Sequence, residues 1–170
     1  MDLNRQQRRF VRPLYTDLER LRRDASQWTL VQGILAPLQF VVFLVSLVLV
    51  VRTLMTGDGA SAAMLSVVVK TLTLYAIMIT GSLWEREVFG KYLFAPAFFW
   101  EDAVSIVVIA LHTAYLAALI TGWLSERELL ILALVAYGAY VINAAQFLLK
   151  LRAARLDNSV RSLDATEIAR

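Results

Sequence analysis

Four long apolar stretches dominate this chain and decide what it can fold into. They cover approximately residues 30–55, 63–84, 103–123 and 128–149. A helix needs about 20 apolar residues to cross the ~30 Å hydrocarbon core of a bilayer, and each stretch meets that length. Hydrophobic residues fill 59% of the 170 positions, against roughly 45–50% in soluble domains. The sequence therefore predicts an all-α integral membrane bundle of four transmembrane helices.

Basic residues at both ends of the apolar region predict its borders and its orientation. They are Arg5, Arg8, Arg9, Arg12, Arg20, Arg22 and Arg23 before the first span, and Lys150, Arg152, Arg155 and Arg161 after the last. Because basic residues concentrate on the cytoplasmic side of a membrane, both termini are expected in the cytoplasm. We predict a basic tail with an interfacial helix over 1–28, a four-helix domain over 29–150 and a polar tail over 151–170.

The N-terminal helix is expected to lie in the membrane interface. Leu14, Leu18 and Leu21 follow helical spacing opposite a set of arginines, and Trp28 comes next at the expected level of the lipid headgroups. Attraction to anionic lipid explains such a segment. A nucleic-acid or protein-binding arm is the alternative, but no nucleic-acid motif supports it, and no nucleic-acid partner is expected.

The supply of metal ligands is small. The chain has no cysteine and one histidine, His112, which excludes disulfides, iron–sulfur clusters, thiolate metal sites and covalent c-type haem. A single histidine also argues strongly against a haem held by two histidines and against a histidine-rich di-iron oxygenase. We expect no protein-held metal and no redox cofactor.

The connection between spans two and three contains the strongest candidate for chemistry. Its four carboxylates are Glu85, Glu87, Glu101 and Asp102. Aromatic residues flank them: Trp84, Phe94, Phe98, Phe99 and Trp100. Apolar surroundings disfavour the charged form of a carboxyl group, which suits it to act as a general acid. The alternative is a solvated acidic cluster paired with Arg86 and Lys91.

Polar residues inside the spans are candidates for lining a site or for joining helices. Gln39 shares a narrow stripe of span one with Gln32 and Ser46 at seven-residue spacing, and Asn143 lies in span four. Amides in membranes also serve as ordinary hydrogen bonds between helices.

Two lysines and the histidine of the spans have simpler interpretations. Lys70 is expected to reach the far interface if span two begins near Leu65; a lysine deeper in the span costs about 2.5–3.5 kcal/mol. Lys150 is close enough to the boundary to extend into the headgroups. His112, near the middle of span three, is interpreted either as a packing residue or as a ligand to the metal of a bound pigment.

Three long segments of the chain carry a resemblance to a known family. They read PLYTDLERLRRDASQWTLVQGILAPLQFVVFLVSLVLV, then KTLTLYAIMITGSLWEREVFGKYLFAPAFFWEDAVSIVVIALHTAYLAALITGWLS, then AYVINAAQFLLKLRAARL, and they cover nearly all of residues 13–156. The chain resembles the 3-vinyl bacteriochlorophyllide hydratases of bacteriochlorophyll a biosynthesis, also named 2-vinyl hydratases. The specificity of the match comes from the length and order of these segments.

The resemblance implies that the chain adds water to the C3 vinyl group of a magnesium-containing chlorophyllide or bacteriochlorophyllide and forms a 1-hydroxyethyl group. It implies a bacterial inner or intracytoplasmic photosynthetic membrane, a Mg-tetrapyrrole substrate, and other pigment-biosynthesis enzymes as conceivable partners. No added cofactor is implied. Oligomeric state, preferred pigment and product stereochemistry stay open.

The resemblance transfers no catalytic residue, so we assign roles from the chemistry of the side chains. Glu101 is the first choice as proton donor and Glu85 the second, while Asp102 or Glu87 remains ionised and orients water. His112 is a candidate ligand to the substrate magnesium, although magnesium prefers oxygen and a water-bridged contact or packing is the alternative.

The remaining assignments concern the substrate. Gln39 and Asn143 are expected to hold water or the carbonyl groups of the ring, and Trp84 and Trp100 to contact its flat surface. A non-enzymatic tetrapyrrole carrier or assembly factor is the competing function, because a hydrophobic bundle with aromatic ends suits both.

Overall fold

The computed structural model describes the backbone of residues 14–168. The described part contains five helices: α1 Asp17–Ala25, α2 Gln27–Thr56, α3 Ala60–Phe89, α4 Phe99–Thr121 and α5 Glu126–Ile168. Residues 1–13, with four of the predicted tail arginines, and residues 169–170 lie outside this range. The predicted all-α class is confirmed.

Four of the helices are long and apolar enough to cross a membrane. They are α2, α3, α4 and the 126–153 part of α5, with mean hydropathies between 1.8 and 2.8. Three of the four start earlier and end later than the apolar stretches, because polar residues at the borders continue the helical turns. Helix α5 also continues through most of the segment predicted as a polar tail. The predicted four spans are confirmed.

The short helix α1 begins and ends at hydrogen-bonded caps. The Thr16 side chain accepts from the Glu19 backbone N–H, and the Glu19 carboxylate accepts from the Thr16 N–H in return, an arrangement that satisfies two otherwise unpaired donors. Ser26 then separates α1 from α2, and its hydroxyl accepts from the Trp28 N–H. The chain therefore turns into the first span at a single residue.

The spans pack as two helical hairpins. Helix α2 lies mainly against α3, and α4 lies mainly against α5, while the contacts between the two pairs are fewer. The principal core runs between them and contains the fully buried Val50, Val67, Val108 and Tyr115. A second cluster, around Tyr15, Val88 and Phe98, closes the end of the bundle at which α3 ends and α4 begins.

Hydroxyl groups join three of the helices near the middle of the core. The Ser46 hydroxyl of α2 lies 2.5 Å from the Tyr137 hydroxyl of α5 and 2.6 Å from the Ser66 hydroxyl of α3. Nearer the end of the bundle, the Gln32 amide donates to the Thr80 hydroxyl over 2.7 Å. Two members of the polar stripe predicted on α2 thus form bonds between helices.

Lys70 lies deep in the bundle. Helix α3 begins ten residues earlier, at Ala60, which puts Lys70 about 15 Å along the helix axis. Its side chain is fully buried, and its ammonium nitrogen lies 3.8 Å from the centre of the Tyr140 ring. The prediction that Lys70 reaches the interface is therefore wrong, since α3 starts five residues before the position that this prediction required and faces Lys70 inward.

We expect Tyr137→Phe to lower the free energy of unfolding by about 0.6 kcal/mol and by no more than about 1.7 kcal/mol, the range measured for hydrogen bonds between transmembrane helices. Reversible unfolding by SDS in mixed micelles measures the change. The matched control is Tyr75→Phe, which removes a 2.6 Å bond to Thr113 at the exposed face. If Tyr75→Phe lowers the free energy of unfolding as much as Tyr137→Phe or more, the buried bond of Tyr137 contributes no more than the exposed one.

Candidate functional site

Three of the four carboxylates are buried together between the end of α3 and the start of α4. Glu85, Glu101 and Asp102 are 5%, 7% and 3% exposed. Glu87 is exposed and accepts a 2.7 Å bond from the Ser26 hydroxyl at the start of α2. The structure therefore brings Glu85, Glu101 and Asp102 together and leaves Glu87 at the surface, where it links α3 to the α1–α2 junction.

The loop of residues 90–98 brings two backbone donors to the buried carboxyl groups. Gly90 ends α3 in the left-handed conformation, at φ 78°, and Phe94 adopts φ 59°, which is uncommon outside glycine. The Phe94 N–H donates to Asp102 over 2.7 Å, and the Ala95 N–H donates to Glu85 over 3.3 Å. The turn at Phe94 thus directs two successive N–H groups at the acids.

The carboxyl groups of Glu85 and Asp102 are buried and accept from the N–H groups of two successive residues, Ala95 and Phe94. Two negative charges so close together in apolar surroundings repel each other, which favours a proton on one of the two groups. The shorter backbone bond goes to Asp102, and a backbone donor favours the charged form of the group that accepts it. This geometry favours an ionised Asp102 and a protonated Glu85.

Glu101 has a cationic partner. The Lys150 ammonium of α5 lies 2.5 Å from its carboxylate, also donates to the Ala97 carbonyl, and sits 4.9 Å from the centre of the Phe98 ring. Lys150 therefore joins α5 to the loop and to α4 at once. Because its carboxylate already accepts from this ammonium, Glu101 is a poorer candidate for the proton donor than Glu85.

The aromatic residues around the acids divide into a buried and an exposed group. Trp84 packs edge-on against Phe89 and Phe98, and its indole N–H donates to the Thr29 hydroxyl over 2.9 Å. Trp100 is 71% exposed and meets Phe99, whose ring lies 5.4 Å from that of Phe94. Of the two predicted tryptophans, only Trp100 has a broad face open to a ligand.

The other predicted site residues lie deeper in the bundle. Gln39 on α2 is 3% exposed and His112 on α4 is fully buried. The Asn143 amide of α5 donates to the Ser105 hydroxyl of α4 over 2.8 Å. His112 is eleven residues beyond Glu101, which corresponds to about 16 Å along the helix axis. These residues therefore line the inside of the bundle and do not touch the carboxyl cluster directly.

Sequence reasoning missed two contributors to the site. One is Lys150, which was interpreted as a residue that extends into the headgroups; its position on the same helical face as Asn143 and Phe147 was the signal that it points inward. The other is the pair of loop N–H groups from Phe94 and Ala95. No pattern of side chains predicts these N–H groups, because their direction depends on the positive φ angle of Phe94.

Comparisons with known proteins place the chain in one family. The family model for 2-vinyl bacteriochlorophyllide hydratase (BCHF) matches residues 15–153. A curated relative from Rhodobacter capsulatus, named 2-vinyl bacteriochlorophyllide hydratase, is 66% identical over 143 residues, which cover 84% of this chain and 83% of the relative. A relative of the same name from Cereibacter sphaeroides is 64% identical over 146 residues, which cover 86% and 91%. No solved structure matches. The chain belongs to the 2-vinyl bacteriochlorophyllide hydratase family.

Proposed function

We propose that this protein adds water to the vinyl group of a Mg-tetrapyrrole of the bacteriochlorophyllide type and forms the 1-hydroxyethyl derivative. Membership of the family and identities of 64–66% to two proteins named for this reaction support the proposal. The observation that carries the mechanism is the buried pair of Glu85 and Asp102, whose carboxyl groups accept from the successive N–H groups of Ala95 and Phe94.

The reaction needs a proton donor, a positioned water and an environment that favours a cation. Glu85 donates its proton to the terminal vinyl carbon, so that the positive charge develops on the inner carbon and spreads into the conjugated ring. The oxygen of water bonds to the inner carbon, and the proton released by this water returns to the carboxyl pair. Atoms and charge balance, and no electrons are transferred.

Asp102 supports both halves of this reaction. It stays ionised through the Phe94 N–H, orients the attacking water and lies next to the carbon that becomes cationic. A carboxylate fixed before the reaction, in surroundings of low dielectric constant, stabilises such a cation more than the same group does in water. We assign the catalytic step to Glu85 and Asp102, which places Glu101 and Lys150 in a positioning role.

The pigment is expected to approach from the lipid. Phe94, Phe99 and Trp100 form an exposed aromatic surface, named here the aromatic ledge, beside the loop that covers the acids. A flat, apolar macrocycle in the leaflet nearest the site stacks against such rings. His112 is enclosed among the helices, so we leave it out of magnesium ligation, and the participation of Gln39 stays a prediction.

We also propose the location of the site in the cell. The arginines of α1 and the basic residues after the fourth span lie at the same end of the bundle as the carboxyl pair. By the positive-inside rule this end faces the cytoplasm, with both termini, in the inner or intracytoplasmic membrane of a bacterium.

Glu85→Gln is expected to lower kcat by about 10²–10⁴-fold, the usual contribution of a general acid, because glutamine preserves the shape but has no acidic proton. Asp102→Asn is expected to have an effect in the same range. Membranes that contain each variant are supplied with the vinyl substrate, and the product is followed by its absorption and by a mass increase of one water. The double variant should lose little more than either single one, since the two groups act as a unit.

Two further variants control this experiment. Glu87→Gln changes the one carboxylate of the connection that lies at the surface, and Glu126→Gln changes an exposed carboxylate at the opposite end of the bundle; both should retain turnover. Wild-type rates in Glu85→Gln and Asp102→Asn would remove the pair from the mechanism. A wild-type protein that binds the pigment and returns it with unchanged mass would identify a carrier.

Lys150→Met is expected to lower kcat/KM by about 10²-fold, since a displacement of reacting groups by 1 Å has effects of that size. The substitution frees the Ala97 carbonyl and leaves Glu101 as a buried carboxylate without its cation. The double variant Lys150→Met/Glu101→Gln should recover part of the activity and of the thermal stability, because it removes the unpaired charge. Equal losses in the single and double variants contradict this positioning role.

A further inference from the structure

Four buried polar atoms inside the bundle have no hydrogen-bond partner among the described residues. They are Lys70 Nζ, His112 Nε2, Asn143 Oδ1 and Gln146 Oε1. They come from α3, α4 and α5, along a line that runs from the contact of Lys70 with Tyr140, between the two hairpins, to the bond of Asn143 with Ser105, between α4 and α5. We call this line the polar seam.

The atoms of the polar seam have a definite hydrogen-bonding character. His112 Nδ1 lies 2.8 Å from the Val108 carbonyl, which only accepts, so Nδ1 holds the proton and Nε2 is an acceptor. The free atoms of Asn143 and Gln146 are carbonyl oxygens and accept as well. Only the Lys70 ammonium donates. The seam thus offers three acceptor atoms and one donor group, the ammonium with its three N–H bonds.

A partner that satisfies all four atoms must both donate to the three acceptors and accept from the ammonium, which identifies its chemical class. Polar groups of a tetrapyrrole are mainly carbonyl and carboxylate oxygens, which only accept and would satisfy Lys70 alone. Water provides two donors and two acceptors per molecule, and buried water typically bonds to about three otherwise unsatisfied polar groups. We propose that the polar seam holds a file of water molecules that bridges Lys70 and His112 and extends past Asn143 and Gln146 to the carboxyl pair.

The positions along α4 support a continuous file. Asn143 is bonded to Ser105, which follows Asp102 by three residues and lies about 4.5 Å from it along the axis. His112 lies about 10.5 Å further into the membrane. Its ring lies 6.0 Å from that of Tyr137, and Lys70 lies over Tyr140, one turn further along α5. The seam therefore runs from the centre of the bundle toward the first turn of α4.

The end of the polar seam lies beside the acids. Gln146 is three residues beyond Asn143 on α5 and four residues before Lys150, which is bonded to Glu101. If the protein is a hydratase, as proposed above, this file supplies the water that adds to the vinyl group, on the side of the acids that faces the bundle interior. The pigment then occupies the opposite, lipid-facing side without displacing its co-substrate.

The single histidine allows a direct test. Protein labelled with ¹⁵N-histidine in lipid bilayers gives one pair of ring signals, and solid-state NMR with magnetisation transfer from water reports whether water touches Nε2. We expect early transfer to Nε2 in the wild-type protein and a several-fold slower transfer in Lys70→Met. Thr113→Val is the matched control, because Thr113 is adjacent to His112 but exposed, and this variant should transfer as the wild type does.

The NMR result is independent of turnover, so it separates the water file from the proposed function. A wild-type ring that receives magnetisation only from protein protons overturns the file, and this result needs no variant. Transfer that is unchanged in Lys70→Met overturns the bridge between Lys70 and His112.

A kinetic measurement tests the use of this water. Asn143→Leu and Gln146→Leu should lower kcat several-fold and leave KM for the pigment unchanged, because they interrupt water supply after the pigment is bound. A change in KM with constant kcat would assign these amides to pigment binding and overturn their role in the file.

Discussion

The structure depends on one constraint, that the hydrocarbon core offers no solvent to polar groups and the bundle must satisfy them internally. An unpaired buried donor or acceptor costs about 1–3 kcal/mol, a large share of the stability of a domain of this size. Some polar side chains in the spans accordingly bond to a neighbouring helix, as Ser46, Gln32 and Asn143 do, and others bond to a carbonyl of their own helix, as Thr71 and Thr121 do. The carboxyl cluster meets the same constraint with two loop N–H groups and one lysine.

Helix α1 extends this bonded end of the bundle. Tyr15, two residues before the start of α1, is 4% exposed, and its ring stacks on that of Phe89 with 5.7 Å between the ring centres. The Arg23 guanidinium group of α1 lies over the Tyr15 ring, 4.9 Å from its centre. Burial raises the pKa of Tyr15, so its hydroxyl stays protonated at physiological pH. Together with the bond between Ser26 and Glu87, these contacts fix the end of α3 that presents Glu85.

Most of the fold was predictable from the sequence, because hydrophobic length alone determines a span and charge at the borders determines where it stops. The carboxyl-rich connection was predictable for a similar reason, since charged residues between two spans are disfavoured in the hydrocarbon core and therefore lie near its border. The separation of Glu87 from the three buried carboxyl groups was not predictable from the sequence. It depends on the rotation of the last turn of α3, where two residues of spacing move a side chain to the opposite face.

Depth and partner choice were the other features beyond the reach of the sequence. Lys70 could be placed only after the start of α3 was known, and a shift of five residues turned an interfacial lysine into a buried one. Lys150 lies only three residues from the end of its span, yet its ammonium pairs with Glu101. The two lysines differ in the residue that each one faces: Lys70 lies over Tyr140 of α5, and Lys150 pairs with Glu101 of α4. The packing of the helices determines these partners.

The charge of the site follows from these partners. The ion pair of Glu101 and Lys150 is neutral as a whole, so Glu85 and Asp102 decide the net charge of the cluster. In the mechanism proposed above, Glu85 holds the proton, and Asp102, bonded to the Phe94 N–H, carries the single negative charge. Two negative charges at this depth would repel each other and favour uptake of a second proton, whereas none would leave a developing cation without a counter-ion. One fixed charge beside one available proton is the arrangement that addition of water through a cation requires.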